Sequence, residues 1–242
     1  MKTLAETVGG ALGPDSVAAK PRRRTFALVA TLLLAVAAAA AEAPRGGRVG
    51  WGRLITESSS WSVHDGNDPI LTAFIREQTS LNMDPTCYPV DPRDLDKLCA
   101  YPFVFTNNLA NVRDPKRLEN LREYLKRGGF IYIDRCVNPS YCPDQEPFYA
   151  QHIELFARFL PGSEVREIPE DHAMYRSYFS LSAEKMHGPR NGHSRIYGVY
   201  LDGRMVVLLS LANFQCGWPN SPTRRANDLQ MIANIYVYAM TR

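Results

Sequence analysis

Residues 102–134 constrain this chain more than any other stretch, because they spell a strand, a helix and a second strand with little between them. Pro102-Phe103-Val104-Phe105-Thr106 is a short apolar run of the kind buried on both faces, and Asn107-Asn108 ends it. Asp114 stands where a helix N-cap is wanted, and Pro115 takes the first helical position. Leu118, Leu121 and Leu125 share one stripe, and Gly128-Gly129 stops the helix. Phe130-Ile131-Tyr132-Ile133-Asp134 follows at once as a second buried strand. A helix that connects two strands of one sheet makes a right-handed crossover and forces the strands to run parallel.

The flanking sequence extends this pattern. Trp51–Thr56 reads as a first strand, and Asp68-Pro69 opens a helix whose apolar face is Ile70, Leu71, Phe74 and Ile75. Thr86–Val90 is a short extended piece and Asp94–Leu98 a helical turn. Phe148–Leu160 reads as a helix closed by Pro161-Gly162, and Glu164–Ile168 as a further strand. Residues 170–194 are irregular, with a weak alternation over Tyr175–Leu181. Arg195–Leu201 and Met205–Leu211 flank Asp202-Gly203, a preferred hairpin dipeptide, and a last helix runs from about Arg225 to Met240. The fold class is therefore α/β: a mostly parallel sheet with a C-terminal hairpin and helix, in a single domain over 51–242.

The first 41 residues stand apart. Arg22-Arg23-Arg24-Thr25-Phe26 precedes an uncharged stretch, Phe26–Ala41, that ends in alanines and is 16 residues long. A basic flank, a short apolar core and small residues fitting cleavage at Ala39 and Ala41 form the anatomy of a signal peptide, with Arg23-Arg24 resembling a twin-arginine signal. An uncleaved anchor is the alternative, and it falls short of the roughly 20 residues that span a bilayer. Export places the remainder in the periplasm or outside the cell, with residues 42–50 as a flexible lead-in. The leader also accounts for the charge: of 28 basic and 25 acidic residues, it holds five and two, which leaves 23 of each. A balanced body lacks the basic excess that phosphate backbones require, so nucleic acid is not an expected partner.

Ligands of open parallel sheets bind beyond the carboxyl ends of the strands, where neighbouring connections diverge. That rule selects Ser58, Ser59, Ser60 and Trp61 after the first strand, and Asn107 and Asn108 after the strand at 102–106. It also selects Asp134, Arg135 and Cys136 after the next strand, and Asn213–Trp218 after the hairpin. Asp134 is either a positioned carboxylate or a cap of the following turn. Arg135 beside it would hold a carboxylate ionised and would suit an anionic or polyhydroxyl ligand. His172, next to Asp171, is either a general base or ligand that folds over the same edge, or a structural hydrogen-bonding group. Trp61 and Trp218 either stack on a sugar ring or pack as a lid.

The five histidines (64, 152, 172, 187, 193) and five cysteines (87, 99, 136, 142, 216) show no paired metal-ligand spacing, and no phosphate loop or nucleophile elbow is present. No metal or cofactor is expected. In an oxidising compartment the cysteines either form one or two disulfides, Cys136 with Cys142 closing a small loop, or remain buried thiols.

Several segments in order carry a resemblance: Tyr101–Phe105, Leu118–Asp134 with its Arg127-Gly128-Gly129, Asp171-His172-Ala173-Met174-Tyr175, Gly203-Arg204-Met205, Asn213 and Gly217-Trp218. Over about Gly50–Met240 the chain resembles the bacterial domain of unknown function 4159 family. That family is similar to the class I glutamine amidotransferase-like superfamily, including its trehalose-utilisation branch. The resemblance implies a flavodoxin-like three-layer sheet. It does not imply glutamine hydrolysis, because Thr106-Asn107-Asn108-Leu109 lacks the elbow cysteine, and Arg135 replaces the second acidic residue common after the strand-ending Asp. The resulting expectation is a domain that binds a polar small molecule or an envelope protein without catalysis, through Asn107, Asp134, Arg135, His172, Asn213 and Trp218. The alternative is a hydrolase using Asp134 and His172, with water or Cys136 as nucleophile.

Overall fold

The computed structural model describes residues 47–135, 145–182, 195–218 and 222–241. Its strands are β1 (Val49–Leu54), β2 (Met83–Val90), β3 (Phe103–Thr106), β4 (Phe130–Asp134), β5 (Glu164–Glu167), β6 (Ile196–Leu201) and β7 (Arg204–Ser210). Its α-helices are α1 (Asp68–Gln78), α2 (Leu95–Cys99), α3 (Pro115–Lys126), α4 (Gln145–Phe159) and α5 (Pro222–Met240). The seven strands form one sheet in the order β2-β1-β3-β4-β7-β6-β5. The first five of that order are mutually parallel, and β6 runs antiparallel to both β7 and β5.

The β3-α3-β4 unit forms as its sequence dictates. The Asp114 carboxylate accepts the Lys116 amide at 2.8 Å, Gly128 terminates the helix at φ 103°, and Phe103 to Thr106 pair in register with Phe130 to Ile133. Gly129 is required by a close approach: a Cβ there would collide with the Tyr124 ring. The Tyr124 hydroxyl lies 2.8 Å from the Tyr101 carbonyl and accepts the Phe130 amide at 3.2 Å, which ties the helix end to both strands.

Alternate residues of the central strands enter two separate cores, as the two-residue period of a strand requires. Trp51, Phe103, Phe105, Phe130, Tyr132 and Leu208 join Leu71 and Ile75 of α1 and the buried face of α5. Leu54, Val104, Ile131, Ile133, Val207 and Leu209 join Leu98 of α2, Leu121 and Leu125 of α3, and Phe148, Leu155 and Phe156 of α4.

One element, β2, departs from the sequence reading, and the stretch read as irregular after residue 170 is irregular as far as residue 182. β2 begins at Met83 and carries Pro85 and Pro89, which a central strand excludes; β2 is an edge strand, where one side needs no N–H donors. The weak alternation after Tyr175 is not a strand. A short 3-10 turn covers Ala173–Arg176, and buried Asn234 of α5 fixes the chain after it, accepting the Tyr178 and Phe179 amides at 3.1 and 2.7 Å. The same amide group donates to the Tyr175 and Phe179 carbonyls, both at 2.9 Å. Long-range hydrogen bonding supplies there the order that local propensity does not.

Candidate binding site at the carboxyl edge

Register brings the strand ends together. Thr106 pairs with Ile133 and Asp134 pairs with Ser210, so Asn107, Asp134 and Ser210 form a row across three neighbouring strands. By alternation this row lies on the α1/α5 face, with Arg53 one step inward over the Phe105 ring at 4.7 Å. Arg53 and Asp68 form an ion pair with 2% and 1% side-chain exposure, through Nε to Oδ2 at 2.8 Å and Nη2 to Oδ1 at 2.5 Å. Trp51 Nε1 donates to the same carboxylate at 3.2 Å, and Arg53 Nη1 donates to the Trp61 and Val63 carbonyls at 3.0 and 3.2 Å. Arg53 thereby orders the β1–α1 loop from beneath. Burial nevertheless raises Asp68 above its ordinary range, the desolvation outweighing its Arg53 partner.

The β7–α5 connection closes over the row. Asn213 adopts the left-handed conformation at φ 62°, which Asn tolerates better than most residues, and a 3-10 turn follows over Phe214–Gly217. The Gln215 amide donates to Asp134 Oδ2 at 2.7 Å, and the Gln215 side chain donates to the Val63 carbonyl at 3.2 Å. Trp218 is buried against Phe105 and Trp51, at centroid distances of 5.4 and 5.7 Å. Asn107 reaches across in the other direction, donating to the Ser60 carbonyl, while Asn111 donates to the Ser60 hydroxyl at 3.2 Å. Hydrogen bonds thus link the connections after β1, β3 and β7 with the last residue of β4.

Asp134 is wholly enclosed, and burial pushes its carboxyl up to about 7. The Ser210 hydroxyl and the Gln215 and Phe214 amides lower it by less, and Asp228 on α5 adds to the rise. Asp134 Oδ1 is buried without a hydrogen-bond partner. The same holds for Asn107 Oδ1, Tyr132 Oη, His152 Nε2, Asn213 Oδ1 and Trp218 Nε1, all buried. His152 lies four residues along α4 from Phe148, whose carbonyl is 2.7 Å from Nδ1; that bond puts the proton on Nδ1 and leaves the Nε2 lone pair free. Burial, with a smaller contribution from the nearby Arg135 guanidinium, lowers this imidazole to about 4.

A cavity of about 470 Å3 opens beside the buried ion pair, lined by Arg53, Trp61, Asp68, Cys87, Tyr88 and Pro89 among others. Trp61 thus borders open space, whereas Trp218 is packing. Among the described residues no three His, Cys, Asp or Glu side chains converge to hold a metal ion.

The structure brings Asn107, Asp134, Asn213 and Trp218 together and separates His172 from them. His172 caps the 3-10 turn, accepting the Met174 amide at 3.3 Å, and its Nε2 lies 3.3 Å from the Tyr238 hydroxyl near the C-terminus of α5. Tyr236, beside it on that helix, donates to the Gly50 carbonyl at the start of β1, so His172 belongs to the opposite edge. The expected pairing of His172 with Asp134 is therefore not made. Arg135 also departs from expectation: its guanidinium lies over the Phe148 ring at 5.8 Å, and Asp134 is raised rather than held ionised. Asp134 caps the Gln215 turn, and the turn after Arg135 lies outside the described residues. Cys136, Cys142, His187 and His193 lie outside the described residues, and Cys87, Cys99 and Cys216 form no disulfide. Sequence reasoning missed Arg53, Asp68, Tyr132, His152 and Ser210, whereas Gln215 fell within the selected stretch Asn213–Trp218. Only Arg53 carried a local signal, as a charge inside an otherwise apolar strand.

An α/β domain built on a mostly parallel seven-stranded sheet, with a buried polar layer at its carboxyl edge, is the class this fold and site define. The chain belongs to the family described as Domain of unknown function (DUF4159), which matches residues 51–240. No curated protein matches it. No helix among the described residues is long and apolar enough to cross a membrane.

Proposed function

We propose that this is an exported domain, carried to the periplasm or beyond by its N-terminal leader, that binds a polar ligand at the carboxyl edge of the sheet without transforming it. One observation carries the reading. Five of the six unpartnered buried side-chain atoms named above belong to the carboxyl half of the sheet or to the connections that leave it, whereas His152 Nε2, on α4, lies with the other core. Each such atom costs about 1–3 kcal/mol when it stays unsatisfied, and folded proteins hold few of them, so their gathering at one edge marks a place where outside hydrogen-bonding groups are received. Among these five, the oxygen acceptors of Asn107, Asp134 and Asn213 outnumber the donors, Trp218 Nε1 and Tyr132 Oη. Hydroxyl groups, which donate and accept, match that set better than an anion does, and two carboxylates, Asp134 and Asp228, disfavour negative charge. The separation of His172 from Asp134 weighs against the hydrolase reading. The strand order and the two cores are compatible with a flavodoxin-like three-layer arrangement of the class I glutamine amidotransferase-like kind.

The test is a ligand-detected NMR screen of the purified domain against polyols, mono- and disaccharides, envelope glycan fragments and inorganic phosphate. The expected hit is a hydroxyl-rich compound whose binding is lost in Asn107→Ala and Asn213→Ala. Binding confined to phosphate, or binding unaffected by both substitutions, refutes the reading, as does turnover of any compound. The export element is tested by mass spectrometry of protein recovered from cells, where cleavage after Ala41 is expected and an intact Met1 on exported protein contradicts it.

A further inference from the structure

The row Asn107-Asp134-Ser210 is enclosed, so whatever reaches it must displace the turn that covers it. The points that hold this turn down can be named. At its centre, the Gln215 amide is bonded to Asp134 Oδ2, 81 residues away, and the Gln215 side chain grips the Val63 carbonyl, which Arg53 also holds. Its hinge is Asn213, in the left-handed conformation. Its far end is Trp218, seated on Phe105, and Gly217, where a Cβ would collide with Asp228. Of these attachments, only the one to Asp134 ends on a titratable group with an unpartnered second oxygen.

We propose that Asp134 is a proton-operated latch: the Phe214–Trp218 turn is closed while the Asp134 carboxyl is protonated and lifts when it ionises, opening the carboxyl edge to ligand. The inference rests on the binding reading above and adds its regulation. The groups facing Asp134 set the direction. Tyr132 on its own strand and Asp228 on α5 are the titratable neighbours; Ser210 on β7 and the amides of Phe214 and Gln215 are uncharged. Among the described residues no cation is one of them, so an enclosed carboxylate has only weak donors in place of water, and Oδ1 has none. Lifting the turn returns that oxygen to water. With the enclosed carboxyl titrating at about 7 and an open one near its ordinary 3.8, closing the turn takes up a proton. Closure is therefore strongest below pH 4 and weakens as pH rises. The open-to-closed ratio grows by up to tenfold per pH unit until about pH 7 and then levels off.

Hydrogen exchange of the full chain reads this without any ligand, which separates its failure from failure of the binding reading. Protection factors of the Phe214, Gln215 and Cys216 amides are measured from pH 5 to 8.5, corrected for intrinsic exchange, against the β4 and β7 amides as internal controls. The expected result is a fall of 10-fold or more between pH 5 and 7, confined to the turn, with a plateau above pH 7. Asp134→Asn should keep the turn amides protected and independent of pH. Asp228→Asn, which removes a charge without touching the latch bond, should move the midpoint down. Flat protection in the parent chain, an equal fall in the strand controls, or the same fall in Asp134→Asn would overturn the proposal.

Discussion

Replacing Arg53 by Met isolates the energetics of the buried layer. The change leaves the aliphatic stem over Phe105 largely intact and removes four hydrogen bonds, two to Asp68 and one each to the Trp61 and Val63 carbonyls. Asp68 is left with the Trp51 indole at 3.2 Å. A carboxylate this enclosed will not remain charged against a single weak donor; it will take up a proton instead, and that sets a ceiling. From an ordinary value of 3.8, protonation at pH 7 spans about 3 units, or about 4 kcal/mol at 1.36 kcal/mol per unit. The lost carbonyl contacts add about 1 kcal/mol, because Val63 keeps its Gln215 donor. The total is at most about 5 kcal/mol, because the raised Asp68 of the parent already bears part of the protonation cost, and it is of the order of the roughly 3–5 kcal/mol for breaking buried pairs elsewhere. At pH 5 the protonation component shrinks to about 2 kcal/mol, so the variant should partly recover in acid. Arg53→Met/Asp68→Asn, which removes the charge altogether, should be more stable at pH 7 than Arg53→Met alone. Urea unfolding followed by tryptophan fluorescence at pH 5 and 7 gives all three values. A loss below 1 kcal/mol at pH 7, a deficit that does not shrink at pH 5, or a double variant no better than the single one would refute the reasoning.

Other consequences can be checked with the same methods. Asp134 has a raised value in the folded state, so it contributes stability that is complete below pH 4 and is lost as pH rises to about 7, up to about 4 kcal/mol; Asp134→Asn should remove that slope in urea titrations at pH 5, 6, 7 and 8. Tyr124→Phe removes the hydroxyl's bonds to the Tyr101 and Phe130 carbonyls while the Phe130 amide keeps the Pro102 carbonyl, and should cost about 0.5–1.5 kcal/mol, while Gly129→Ala, which drives a methyl into the Tyr124 ring, should cost at least as much; thermal unfolding measures both. Cys99 is exposed and should react with a thiol reagent in the folded state. Cys87, which burial pushes up to about 12, should react only on unfolding, so equal labelling rates would contradict the packing described.

What the sequence determined by itself is the β3-α3-β4 unit, with its cap at Asp114, its stop at Gly128-Gly129 and its parallel strands. It also determined that Asn107 and Asp134 end neighbouring strands, the hairpin at Asp202-Gly203, and the last helix. These depend on interactions reaching four or five residues along the chain, or on a two- or 3.6-residue period, and such interactions are written in adjacent letters. Tertiary structure decided the rest. Whether Trp218 was a platform or packing depended on Phe105 and Trp51, more than 100 residues away. The partner of Asp134 is an amide 81 residues on, and the neutral state of His152 follows from enclosure. The same holds for His172, whose sequence neighbours suited either edge until contact with Tyr238 placed it opposite Asp134. A cap reads its backbone a few residues away, whereas the charge and partners of a buried polar group are set by everything that excludes water from it, and that enclosure exists only once distant segments have met.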